Sequence, residues 1–317
     1  MPTPHLSIVI PVYNEADNLE NLYRRLTHTL DAFGKPYEIL FINDGSRDAT
    51  ESLLEALFHR RPDILRVIHF NGNFGQHMAI MAGFERARGE IIVTLDADLQ
   101  NPPEEIPTLI QAIEAGHDYV GSIRQNRQDT WFRRHASRIN NAIRARITGI
   151  VMTDQGCMLR AYQRHVIDAV VASRESSVYI PALAYSYAGN PTEVMVQHCH
   201  REAGKSKYNL YKLLRLNFDL MTGFSLVPLQ AFTVFGMVVS LFSTLFVIYL
   251  FIRRLLIGPE AEGMFTLFAI LYFLIGVGLM GLGIVGEYIG RIYKEVRQRP
   301  FYIVRNTLEQ VGETTHV

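Results

Sequence analysis

The sequence of 317 residues is poor in cysteine, holds a single tryptophan, and has no excess charge of either sign, with 31 Lys and Arg against 31 Asp and Glu. Two cysteines, Cys157 and Cys199, cannot build a disulfide framework and lack zinc-ligand spacing. Such sparse use suits a reducing compartment. Zero net charge excludes a uniformly basic nucleic-acid binder and an acidic disordered tail. The first apolar run, residues 6–12, ends in Pro-Val-Tyr-Asn-Glu (11–15) instead of leading into G-x-G-x-x-G, which argues against a nicotinamide dinucleotide. That run is also too short for a signal peptide, so it reads as a buried strand.

Charge itself is missing from one region. Residues 226–290 contain only Arg253, Arg254, Glu260, Glu262 and Glu287. Within it, 229–252 and 264–286 carry no charge at all, and each exceeds the roughly 20 residues that cross a bilayer core. Helices inside a soluble core seldom stay apolar on every face for so long. A transmembrane hairpin is therefore expected. Arg201, Lys205, Lys207, Lys212 and Arg215 precede it, and Arg291, Lys294, Arg297 and Arg299 follow it. The positive-inside rule then places both flanks, both termini and the N-terminal domain in the cytoplasm.

What is present upstream is an alternation. Strand-like runs at 6–12, 38–42, 66–70, 91–95 and 119–121 are separated by amphipathic stretches at 16–30, 48–58, 76–87 and 103–115. A further strand is expected at 193–199. This spacing predicts an α/β domain with a mainly parallel sheet flanked by helices. Ligands of such sheets bind beyond the carboxyl ends of the strands.

Three predicted strand ends are acidic. In the run Thr-Leu-Asp-Ala-Asp-Leu-Gln, Asp96 and Asp98 lie two apart, so continued extended geometry would put them on one face. Paired carboxylates invite a hard divalent cation, Mg²⁺ or Mn²⁺, and Gln100 continues the series as a neutral ligand. At the first strand end, Tyr13 suits a base or ribose and Glu15 suits ribose hydroxyls. At the second, Asp44 suits a uracil imide N–H. Singly, Glu15 also reads as a helix-start acid and Asp44 as a turn residue before Gly45. Together the three ends describe a nucleotide-diphosphate cleft. Residues 121–164 then hold nine arginines, no lysine and two acids, Asp129 and Asp154. Guanidinium forks of this kind bind phosphate bidentately.

The segments PVYNE, NDGS, DADLQ-PPE and DQGCMLR resemble glycosyltransferase family 2, whose catalytic domain has the GT-A fold. With the C-terminal hairpin, the resemblance narrows to its polyprenyl-phosphate glycosyltransferases. The runs GSIRQNRQDTWFRRHAS, NGNFGQHMAIMAGF and GEYIGRIY extend it to the branch whose sugar is 4-deoxy-4-formamido-L-arabinose, used in lipid A modification and polymyxin resistance. The resemblance implies a UDP-sugar donor, an undecaprenyl phosphate acceptor and inversion at the anomeric carbon. It assigns Pro11, Tyr13, Glu15, Asp44 and Asp96 to the nucleotide, Asp96, Asp98 and Gln100 to the metal, and Arg124, Arg133 and Ser137 to the lipid phosphate. Asp154 matches the family's catalytic base. A phosphate monoester with a second pKa of about 6 has little need of one near neutrality, so an orienting role stands beside it. Arg201, Lys205 and Lys207 match a mobile active-site loop over the diphosphate, and equally read as a basic run facing anionic membrane lipid. A homotetramer is a further implication of the family.

The expected organisation is a catalytic domain over 1–208, an amphipathic juxtamembrane helix over 209–225, the hairpin over 226–290 and a basic cytoplasmic segment over 291–317, all held at the bacterial inner membrane. Two alternatives remain: a transferase of the same kind using another sugar, such as glucose or mannose from a UDP or GDP donor, and a sugar-nucleotide-binding adaptor without catalysis. A processive polymer synthase fits poorly, because one hairpin is a small channel and no Q-x-x-R-W motif occurs.

Overall fold

The computed structural model describes residues 4–124, 152–154, 156–173, 179–197, 226–258, 264–297 and 299–310. The chain divides into two units, one of Met1–Tyr208 with Pro300–Val317 and one of Asn209–Arg299.

The first unit is built on strands β1 (Leu6–Val12), β2 (Tyr37–Asn43), β3 (Leu65–Phe70), β4 (Ile91–Thr94) and β5 (Tyr119–Arg124), interleaved with helices α1 (Ala16–Phe33), α2 (Thr50–Arg60), α3 (Gln76–Arg86) and α4 (Ile106–Glu114). Then follow β6 (Arg160–Gln163), α5 (Arg164–Ser173), α6 (Ile180–Tyr187) and β7 (Pro191–Val196). The strands read as continuous apolar runs because helices cover both faces of the sheet. In β1, every residue but Pro11 is buried. Helix α1 packs one stripe, Leu19, Leu22, Tyr23, Leu26 and Leu30, at helical spacing. It stops at Gly34, whose φ of 75° closes a left-handed cap through its N–H to the Leu30 carbonyl.

Eight strands, the last of them β8 at Val304–Leu308, form one sheet in the order β7-β5-β6-β4-β1-β2-β3-β8. β1 lies parallel to both β2 and β4, and β2 is parallel to β3. β6 runs antiparallel to both β4 and β5, so β5 regains the direction of β4. The carboxyl ends of β1, β2, β3, β4 and β5 therefore share one edge, where the sequence expects the ligand.

Two strands lie outside the sequence expectation. Strand β6 has only four residues, Arg-Ala-Tyr-Gln, too few to show a period, yet it is central in the sheet. Strand β8 (Val304–Leu308) follows the hairpin and pairs antiparallel with β3 at the sheet edge. The segment taken from sequence as 291–317 thus divides: residues to Arg299 go with the helical unit and those from Pro300 with the sheet.

The second unit contains α7 (Val227–Ile257) and α8 (Met264–Val296). At 1.5 Å per residue these helices are about 46 and 50 Å long, more than the hydrocarbon core requires. The most apolar 18-residue windows within Leu229–Leu256 and Ile270–Gly290 are 0% and 6% buried, which suits membrane association better than the core of a soluble domain. Leu241, Phe242 and Leu282 are among the large side chains left exposed. At Gly281 a Cβ would come within 2.3 Å of the Phe232 ring, so this glycine lets α7 and α8 meet closely. Gly276, Gly278, Gly283 and Gly286 face nothing within 4 Å.

Candidate active site

Where β1 ends, the chain turns at Asn14, whose φ of 54° is unusual for a residue with a side chain. Asn14 earns that conformation by hydrogen bonds across to the next strand end. Its N–H donates to Ser46 Oγ at 3.0 Å, and its Oδ1 accepts from the Arg47 N–H at 2.8 Å. The loops after β1 and β2 are thereby tied together. Tyr13 beside them is 43% exposed, open to a ligand's ring. Glu15 accepts from the Asn18 side-chain amide at 2.6 Å, and Pro11 is half-buried within β1.

Asp44, one residue beyond β2, is buried. Its Oδ1 accepts from the Phe74 N–H at 2.7 Å and its Oδ2 from the Gly75 N–H at 2.9 Å. Burial pushes its pKa up while these two bonds pull it down. Each oxygen keeps further acceptor capacity. Gly45 has a φ of 67°, and a Cβ there would sit 2.5 Å from the Gly72 carbonyl carbon. Only glycine satisfies both the backbone angle and this approach.

Strand β4 stops at Thr94, and residues 97–98 form a turn instead of extending the pleat. Exposure nevertheless alternates: Asp96, Asp98 and Gln100 are half-buried, and Leu95, Ala97 and Leu99 are buried. The turn, completed by Leu99 at φ 59°, keeps the three polar residues on the accessible side. Asp98 Oδ1 accepts from the Gln100 N–H at 3.1 Å, an Asx turn. Gln76, the first residue of α3, donates to Asp96 Oδ1 at 2.6 Å. Among the described residues, no three His, Cys, Asp or Glu side chains converge as a metal group. Two hard carboxylates with the neutral amide of Gln100 beside them suit a Mg²⁺-type ion whose shell is completed by substrate phosphate and water.

Arg124, the last residue of β5, forks onto Asp154. Nε donates to Oδ2 at 2.6 Å and an Nη2 hydrogen to Oδ1 at 2.8 Å. Asp154 is 3% exposed and also accepts from the Gly156 N–H at 3.1 Å. The carboxylate raises the pKa of the guanidinium, which also feels the charge of Asp96. The ends of β4 and β5 are therefore in electrostatic reach of one another. A Cβ on Gly156 would lie 2.8 Å from Arg124 Nη2, so the glycine makes room for the fork.

The segment carrying Asp154 is anchored from below. Arg160 is fully buried; it donates through Nη2 to the Asp154 carbonyl and through Nε to the Cys157 carbonyl, both at 2.9 Å, and also bonds the Tyr119 hydroxyl. Both carboxylate oxygens of Glu193 accept from the Thr153 N–H, at 2.9 and 3.2 Å. Ser122 Oγ donates to the Leu159 carbonyl at 2.6 Å and lies 2.8 Å from Cys157 Sγ. Burial raises the Cys157 thiol's pKa, which makes it a packing residue and a poor nucleophile. Burial likewise pushes His77 down to about 4, so near neutrality this imidazole is uncharged against Tyr179.

The structure thus gathers Pro11, Tyr13, Glu15, Asp44, Asp96, Asp98, Gln100, Arg124 and Asp154 around neighbouring ends of one sheet. Arg133, Ser137, Arg201, Lys205 and Lys207 lie outside the described residues. Sequence reasoning missed Gln76, Arg160, Glu193 and the backbone N–H groups of Phe74 and Gly75. No residue-type pattern marks them; the glycines of NGNFG and DQG were the only available signal.

Comparison with known proteins identifies the family. Residues 7–171 match the model of glycosyl transferase family 2. An undecaprenyl-phosphate 4-deoxy-4-formamido-L-arabinose transferase from Edwardsiella ictaluri is 49% identical over 305 residues, 96% of this chain and 94% of the relative. Its namesake from Serratia proteamaculans is 47% identical over 317 residues, 99% and 97% of the two chains. Among solved structures, glucosyl-3-phosphoglycerate synthase from Mycobacterium tuberculosis is 17% identical, with a TM-score of 0.49 over 69% of this chain and 78% of that one. The family match over half the chain and near-full-length relatives lead to one conclusion: the chain belongs to glycosyl transferase family 2.

Proposed function

We propose that this glycosyltransferase moves 4-deoxy-4-formamido-L-arabinose from a UDP donor to undecaprenyl phosphate, with inversion at the anomeric carbon, as a step toward lipid A modification and polymyxin resistance. The observation that carries this reading is 47–49% identity to transferases of that name over both units, helical unit included. Asp44, Tyr13 and Glu15 receive the uridine. Asp96, Asp98 and Gln100 would hold Mg²⁺ or Mn²⁺, which neutralises charge on the departing diphosphate.

Arg124 receives the acceptor phosphate. Asp154 takes two of the five guanidinium N–H groups, and the fork keeps donors for a phosphate. The acceptor oxygen attacks the anomeric carbon as the bond to the UDP oxygen breaks. Since the acceptor is largely a dianion at neutral pH, Asp154 serves to fix and orient Arg124, and no proton need pass to it.

Connectivity supports the proposed membrane placement. Both ends of the helical unit return to the same sheet domain. A chain that starts and finishes on one side must cross an even number of times. Two spans with the catalytic unit and both flanks in the cytoplasm satisfy this and the positive flanks.

A panel of UDP- and GDP-sugars incubated with undecaprenyl phosphate, Mg²⁺ and the purified chain tests the sugar. Preference for the formamido-arabinose donor is expected. Equal or better use of glucose or mannose would reassign the donor within the same reaction.

A further inference from the structure

Strand β8 belongs to no part of the chemistry described above, yet its start touches the donor end of the site through a short series of contacts. Phe70, at the end of β3, is 2% exposed and contacts two rings. Tyr302 stacks on it at 4.8 Å and 14°, and Phe74 meets it edge-on at 5.7 Å and 86°. The Ile303 carbonyl accepts from the Asn71 N–H at 3.0 Å, at the root of the loop 71–75. That loop is the one whose Phe74 and Gly75 N–H groups hold the Asp44 carboxylate, and whose Gly72 backbone lies against Gly45. The Tyr302 hydroxyl also bonds Glu85 and Arg86 at the far end of α3, the helix that begins with Gln76. Glu309 ties the other end of β8 to Arg66 and Arg88.

We propose that Tyr302, which enters the sheet directly after the membrane hairpin, is a positioning residue for donor binding: its ring fixes Phe70 and Phe74 and so sets the loop that shapes Asp44. This rests on the reading of Asp44 as a uridine-binding residue. The physical reason is economy of motion. Loop 71–75 carries two glycines and is tied to Asp44 by its Phe74 and Gly75 N–H groups and by the Asn73 amide to the Asp44 carbonyl at 3.3 Å, so holding the Phe74 ring limits the motion left to those N–H groups. An aromatic pair supplies that hold at small entropic cost.

The test is titration of UDP with Mg²⁺ into the full-length, detergent-solubilised chain, together with KM values for both substrates. Tyr302→Ala is expected to weaken UDP binding about tenfold, the equivalent of one lost positioning contact, and to leave the acceptor KM unchanged. Tyr302→Phe keeps the stacked ring and should restore most of the affinity. Should Tyr302→Ala fail to fold, Phe74→Leu is expected to give the same donor-selective loss. The proposal is overturned if a folded variant binds UDP as the wild type does, if both KM values rise together, or if Tyr302→Phe loses as much as Tyr302→Ala. Absence of UDP binding by the wild-type chain would instead refute the functional reading on which the proposal rests.

Discussion

Asp154 and Arg124 form one unit, and that pairing decides how each can act. A carboxylate that accepts two guanidinium bonds and a backbone N–H is held in one orientation. It is well placed to aim a phosphate-binding fork and poorly placed to shuttle a proton. Asp154→Asn should therefore lower turnover by a factor that stays constant from about pH 5.5 to pH 8, across the second phosphate pKa of about 6. The ratio of wild-type to variant kcat/KM over that range is the measurement. A ratio that shrinks steadily as pH rises would restore Asp154 as a base. At the donor end, Gly45→Ala meets both a φ of 67° and a 2.5 Å approach to Gly72. It should cost about 1–3 kcal/mol of stability and displace the 71–75 loop, seen as a lower melting midpoint with weaker UDP binding. The residue types at these strand ends were legible in the sequence, because acids beside turn residues at several strand ends signal a charged ligand. The pairing of Arg124 with Asp154 was not, since thirty positions separate them and only the folded chain brings them together.

Among the elements, β8 has the largest unforeseen role. Its five residues, Val-Arg-Asn-Thr-Leu, are too polar and too few to stand out after a long apolar hairpin. It covers the edge of β3, packs Leu308 against the core and buries the Phe70 ring under Tyr302. A chain ending at Arg299 would expose an open strand edge and an apolar ring, both of which favour aggregation. Such a truncation should still insert into membranes while losing activity and gaining protease sensitivity in its catalytic unit. Full activity of the truncated chain would show that β8 is dispensable. The parallel core strands were readable because burial on both faces leaves uninterrupted apolar runs. β6 was not, because its place between β4 and β5 is fixed by long-range antiparallel pairing, with no period of its own.

At the scale of the whole molecule, a zero net charge hides a division of labour. Acids gather at strand ends, arginines on the stretch after β5, and almost no charge lies in the two exposed helices. Pro300–Val317 rejoins the unit that holds Met1–Tyr208, so the proposed two-span reading has the hairpin leave and return on one face of the membrane. In a chain freed of its two cysteines, a single cysteine replacing Pro259 should react with a membrane-impermeant maleimide added from outside the cytoplasm. One replacing Thr307 should react only after permeabilisation. The reverse pattern would invert the topology. The most direct test of the chemistry is product analysis with purified chain, labelled UDP-formamido-arabinose, undecaprenyl phosphate and Mg²⁺. The expected result is a lipid-linked sugar with inverted anomeric configuration and release of UDP. No lipid-linked product from any donor, or a product with retained configuration, would contradict it.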